Sequence, residues 1–153
     1  MGKIREEDFS EAIISLKTLQ NCDEEKPDLL DFMTDGQYLF SKNTGHIKYA
    51  ESELTGMEGT QTSLTILPDR IVVDRRGSIT SRMEFVEGEK NSFLYATPFG
   101  NATMSLDTRK ISHSFSEEGG RAEIEYVMDL DHKVFSRNRF IINVERTEGR
   151  TDA

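Results

Sequence analysis

The chain has 153 residues, a net charge of -9, one cysteine and no tryptophan. That length fits one domain, and the negative balance works against nucleic acid or an anionic membrane surface as partner. A lone cysteine excludes an intrachain disulfide and fits a reducing, cytoplasmic compartment; the charged start, Met1 to Asp8, lacks the apolar core of an export signal, and no run approaches the ~18 apolar residues of a membrane span.

Lys3 to Ser10 is mostly charged, and residues 1–10 are read as a flexible leading segment. From residue 11 the apolar pattern begins. Phe9, Ala12, Ile13 and Leu16 fit a helical period, but Ile13, Ile14 and Thr18 are β-branched and favour a strand. Ile47 and Tyr49 follow a turn expected at Asn43-Thr44-Gly45, and Leu64, Ile66, Ile71 and Val73 flank one at Pro68-Asp69. Ile79, Met83 and Phe85 then oppose Thr80, Arg82 and Glu84. Thr97-Pro98-Phe99-Gly100-Asn101 reads as a tight hairpin, since Pro98 fixes its own φ and Gly100 tolerates a positive one. An exposed Phe99 there could also gate a cavity or touch a partner. Ile111, His113 and Phe115 share a face, and Glu118-Gly119-Gly120 marks the next turn. Arg121 to Leu130 places Ala122, Ile124, Tyr126, Met128 and Leu130 opposite Arg121, Glu123, Glu125 and Asp129. Phe140, Ile142 and Val144 close the pattern, and residues 147–153 read as a flexible tail.

Period-2 alternation of this kind marks half-buried antiparallel strands, with turns every roughly 8–12 residues. About ten to twelve such runs form one domain over residues 11–146. With no helices to cover the apolar face, the sheet must close on itself. The expected fold is all-β, a closed antiparallel up-and-down meander barrel, with a sandwich as the alternative. The interior is either filled or holds one small ligand, and Phe32, Phe40, Phe85, Phe93, Phe115 and Phe140 make a filled one the first expectation.

Tyr49-Ala50-Glu51 with Gly56, Arg75-Arg76-Gly77, Met83-Glu84-Phe85, Tyr95-Ala96-Thr97-Pro98-Phe99-Gly100 and Ser136-Arg137-Asn138 before Phe140-Ile141-Ile142 together resemble the YwiB-like family. Its members are small bacterial proteins of unknown function with a calycin-type, lipocalin-like barrel. The resemblance covers about Ala12 to Val144, and its most specific element is Tyr-x-Thr-Pro-x-Gly. It implies the barrel and a bacterial cytosolic setting. It supplies no substrate and no catalytic residue.

Polar residues that share parity with the apolar face are the candidates for function. Tyr49 and Glu51 continue the face of Ile47, and Arg75 continues that of Ile71 and Val73. Tyr95 follows Phe93, His113 lies between Ile111 and Phe115, and Ser136 and Asn138 precede Phe140. A buried charge needs a partner, so Glu51 and Arg75 are expected to meet at one rim. They form either a structural ion pair or the polar end of a site for a small, partly apolar or anionic molecule. The ligand-binding candidates are Tyr49, Glu51, Arg75, Tyr95 and His113. His113 could instead be a satisfied core residue or a general base. His46 and His132 sit in turn-like contexts and read as solvated. Asp23, Glu24 and Glu25 after Cys22 disfavour its thiolate.

No metal or cofactor is expected: the histidines are scattered, no Gly-x-Ser-x-Gly occurs, and Gly36, Gly45, Gly56 and Gly59 build no phosphate loop. Three functions remain: a non-enzymatic small-molecule binding module, a filled barrel acting through its surface, and an enzyme using Arg75, Glu51 and His113. The oligomeric state is left open.

Overall fold

The computed structural model describes residues 4–21, 28–130 and 133–147. Cys22, Asp23, Glu24, Glu25 and His132, and the roles expected of them, lie outside the described residues, as do residues 1–3 and 148–153. A 3-10 turn at Glu6–Asp8 leads into ten strands. These are β1 (Ser10–Asn21), β2 (Asp28–Ser41), β3 (Thr44–Ala50), β4 (Thr60–Ile66) and β5 (Ile71–Gly77), then β6 (Ser81–Phe85), β7 (Lys90–Thr97), β8 (Gly100–Ser116), β9 (Gly119–Leu130) and β10 (Lys133–Arg146). A second 3-10 turn, Glu53–Thr55, lies between β3 and β4. The ambiguous opening run is a strand, as its β-branched residues favour. No helix of the described residues is long and apolar enough to cross a membrane.

All pairings are antiparallel, in the order β6-β5-β4-β3-β2-β1-β10-β9-β8-β7. The sheet is an up-and-down meander curled until its two ends nearly meet. One backbone bridge links these ends, in which Thr80, just before β6, and Ala96 of β7 exchange N–H···O bonds of 2.9 and 3.0 Å, and Asn91 Nδ2 of β7 donates to the Glu84 carbonyl of β6 at 3.0 Å. The barrel is therefore nearly closed, with one weakly laced seam.

Alternation decides what fills it. Ile14, Leu16, Ile47, Leu64, Ile71, Val73, Leu106, Ile124 and Ile142 are buried, while their chain neighbours largely face solvent. At one end the packing is tight: the Tyr38 hydroxyl donates to the Ser116 carbonyl at 2.5 Å, and its ring lies 6.1 Å from that of Phe115. Burial raises the Tyr38 pKa above its ordinary value. The other end is hollow, so the filled interior expected from the phenylalanine count holds for only part of the barrel.

One turn differs in detail from the sequence reading. The β2–β3 hairpin turns on Lys42 and Asn43, both with positive φ (52° and 60°), and Gly45 lies inside β3. A two-residue hairpin of type I′ needs positive φ at both central positions, and asparagine tolerates this well. His46, expected in a turn, is half-buried in β3 with its ring 6.5 Å from Phe9. The Pro98-Phe99 loop is the tight hairpin expected, with Thr97 paired to Gly100 and Phe99 fully exposed.

Gly36 marks a close approach of β2 to its neighbours. A Cβ there would meet the Ile14 side chain, the Lys48 carbonyl at 2.5 Å and Tyr49 Cβ at 3.2 Å. Gly36→Ala should therefore cost about 1–3 kcal/mol through overpacking, read from the denaturation midpoint. An unchanged midpoint would mean that β2 and β3 can separate freely at this position.

Candidate functional site

The hollow end is where β3 and β5 finish and β4 and β6 begin. Register fixes a row of inward residues across these strands: Tyr49 pairs with Thr62, Thr62 with Arg75, and Arg75 with Ser81. Glu51 lies just past β3, held by its N–H to the Thr60 carbonyl at 2.8 Å, and its side chain turns back over the row. Thr62 Oγ1 donates to Glu51 Oε2 at 2.5 Å, and Arg75 Nε lies 3.8 Å from the same oxygen. The Glu51 side chain is 1% exposed and that of Arg75 17%. This is a buried ion pair, and it is loosely made. Glu51 Oε1, Arg75 Nε and Ser81 Oγ are buried without a hydrogen-bond partner among the described residues. One guanidinium NH group lies 3.7 Å from Met83 Sδ.

Two phenols complete the polar surface. Burial raises the Tyr49 pKa, the adjacent Glu51 carboxylate raises it further, and Arg75 opposes the shift. Tyr126 is also raised by burial, again opposed by Arg75. Its ring meets Phe85 edge-on at 4.9 Å. The polar row opens into a cavity of about 390 Å³. Leu16, Phe32, Phe140 and Tyr126 give apolar walls, Glu51 and Arg75 a charged patch, and Thr55 and Met57 form part of the rim.

The structure thus brings Tyr49, Glu51 and Arg75 together. Tyr95 is half-buried against the core on β7 and is not among the residues lining this cavity. His113 stands apart and corrects the expectation of a core or site residue. It shares the inward face of β8, opposite Ala122, but lies at the other end of the barrel, where β8 has run past β7. There it is exposed, with Nε2 3.4 Å from the Pro68 carbonyl. It cannot act on anything that Arg75 holds. Ser136 and Asn138 are buried, and Asn138 Nδ2 donates to Ser136 Oγ at 2.9 Å. Sequence reasoning missed Thr62 and Ser81 as members of the row, although the shared parity of Thr60, Thr62, Leu64 and Ile66 carries the signal for Thr62. Tyr126 was assigned to the inward face but not to the site. Among the described residues no cluster of His, Cys, Asp and Glu could hold a metal ion.

A nearly closed, ten-stranded antiparallel barrel with a charged pair buried at its mouth is the class of protein that this geometry defines. The chain belongs to the family described as Domain of unknown function (DUF1934), whose model matches residues 14–142. Its fold is similar to that of the ywiB protein from Bacillus subtilis, known from a crystal structure. The TM-score is 0.81 at 21% identity, covering 92% of this chain and 94% of that one. A comparison with curated proteins gives no significant match.

Two outcomes follow from this site. Arg75→Ala leaves the Glu51 carboxylate buried without a counter-charge and should cost about 3–5 kcal/mol, whereas Glu51→Gln combined with Arg75→Met should recover most of that loss. Chemical denaturation of the single and double variants checks both, and a cost below about 0.5 kcal/mol for Arg75→Ala would show a pair of surface type. The raised phenols give a pH effect of definite sign. A group that binds its proton more tightly when folded contributes stability that is complete below the unfolded value of about 10 and is lost as pH rises through the native one. Alkaline titration should therefore show the phenolate absorbance of Tyr38, Tyr49 and Tyr126 arising together with unfolding. Gradual ionisation of all four tyrosines in the intact fold would contradict their burial.

Proposed function

We propose that the protein is a non-enzymatic binding module whose barrel mouth takes a small, partly apolar molecule carrying an anionic group. The observation that carries this reading is the state of Arg75. Its guanidinium lies at the edge of a cavity, with an ion pair at 3.8 Å and a thioether at 3.7 Å as its neighbours. A guanidinium is a planar fork of donors and binds carboxylate or phosphate oxygens far better than sulfur. The cavity volume of about 390 Å³ falls within the roughly 300–1,000 Å³ usual for small-molecule sites. Leu16, Phe32 and Phe140 would cover the apolar part of the ligand, and the Tyr49 and Tyr126 phenols would orient it.

Use of a barrel mouth in this way is lipocalin-like in kind, and the single cysteine supports a cytoplasmic setting. A filled barrel acting only through its surface fits the hollow end less well. An enzyme built on Arg75, Glu51 and His113 fits least, because His113 lies at the opposite end.

The test is a thermal-shift screen of alkyl and aryl carboxylates and phosphates against the wild type and Arg75→Lys, which keeps the charge and loses the fork. A fitting ligand at about 100 times its Kd should stabilise the wild type by about 2.7 kcal/mol and Arg75→Lys clearly less. A screen with no stabilising member, or with hits indifferent to Arg75→Lys, would overturn the reading.

A further inference from the structure

We propose that the free edge of β2 is a docking strand for an extended peptide segment that turns alternately basic and apolar side chains outward. β2 pairs with β1 along Asp28–Tyr38, but with β3 only along Gln37–Ser41. Among the described residues, the stretch before Gly36 has no strand paired on its second side, β3 still lying close to Gly36 itself. The two-residue turn at Lys42-Asn43 makes Ser41 and Thr44 a hydrogen-bonded pair. Antiparallel alternation then directs the backbone N–H and C=O groups of residues 29, 31, 33 and 35 away from β1, toward the open side. No backbone hydrogen bond among the described residues joins those groups to a loop or turn.

The other overhang in this molecule is treated differently at one point: where β8 runs past β7, the Glu87 carboxylate accepts the Ile111 N–H at 2.8 Å. Unpaired edges invite another strand, and proteins usually cover or cap them. Among the described residues the outward groups of the β2 edge are met by no other strand or loop; the Thr34 hydroxyl alone donates to the Asp35 carbonyl, at 3.3 Å.

Its side chains say what would pair there. Leu29, Asp31, Met33 and Asp35 all face outward, with Leu29 57% and Met33 66% exposed. An incoming antiparallel strand would set apolar residues beside Leu29 and Met33 and basic ones beside Asp31 and Asp35. Lys17, opposite Asp31 on β1, offsets part of that charge, whereas Asp35 has Ile13 opposite. A second copy of this edge would set aspartate against aspartate in the antiparallel registers centred on Asp31 or Met33, and in the one centred on Phe32 would leave each aspartate facing an apolar side chain with no counter-charge; the net charge of -9 opposes all three. The intervening side chains of the incoming strand would point toward the cavity mouth, which Leu30 and Phe32 of β2 also line.

The probe is a strand-length synthetic peptide with lysine and valine taking turns at every second position and threonine between. Its control is the same peptide N-methylated at the lysines and valines, with its charge intact. Binding should slow hydrogen exchange at the N–H groups of residues 29, 31, 33 and 35. N-methylation, or the double variant Asp31→Asn with Asp35→Asn, should each weaken binding by roughly tenfold or more. Met33→Pro removes one outward N–H without touching the ladder to β1, so it should keep the thermal midpoint and lose peptide binding. Equal binding of the methylated peptide would mean attraction by charge alone and overturn the proposal. So would concentration-dependent dimerisation that protects the same four amides without peptide. Arg75→Lys should leave peptide binding unchanged even if it abolishes small-molecule binding, which keeps the two sites distinguishable. Loss of peptide binding in Arg75→Lys would place the peptide in the cavity and overturn the edge-docking proposal.

Discussion

A sheet with one apolar face and no helix to cover it can remove that face from water only by curling onto itself. Each part of this molecule follows from that constraint. The ten strands run as a meander because short turns join antiparallel neighbours at little entropic cost. The curl must then bring the first and last strands of the sheet order, β6 and β7, side by side. Among the described residues they share one backbone bridge, Thr80–Ala96, and one side-chain bond from Asn91 to the Glu84 carbonyl, so the seam is held more by the shared core beneath it than by backbone hydrogen bonds.

Curling also decides where charge is buried. Glu51 and Arg75 sit on inward positions because parity runs unbroken to the ends of β3 and β5. The cost of desolvating a carboxylate is several kcal/mol, roughly, and only a nearby cation and good donors offset it. Thr62 supplies one short hydrogen bond, and Arg75 supplies charge without a hydrogen bond of its own. A pair arranged only for stability would be expected to close into direct contact. Here the guanidinium stays apart from the carboxylate, beside a cavity with apolar walls.

Strand length produces the two openings. β2 is 14 residues long and β3 only 7, so β2 overhangs its neighbour on the side where the cavity lies. The same mismatch leaves a mouth for a small molecule and a backbone edge beside it. At the opposite end β8 overhangs β7, but the Glu87 carboxylate caps part of that overhang, and the interior there is packed by Tyr38 and Phe115. The two ends of one barrel therefore differ in kind, one dense and capped, the other hollow with a bare edge.

Period-2 alternation determined most of the strands and their inward faces and favoured a barrel over a sandwich, because a pleated strand sends neighbouring side chains to opposite sides whatever surrounds it. It also put Glu51 and Arg75 on the same inward surface, since parity is a local property. The motifs from Tyr49 to Ile142 likewise carried the family resemblance. Only the tertiary structure decided distances along the barrel axis, which depend on register between strands far apart in sequence. That is why His113, correct in parity, proved to lie at the wrong end, and why Tyr95 stayed off the cavity wall. It is also why Thr62, Ser81 and Tyr126 joined the site without announcing it. Whether the interior was filled or hollow was beyond a count of phenylalanines, because a cavity arises from how side chains of known size meet across a lumen whose taper and overhangs the strand pairings set.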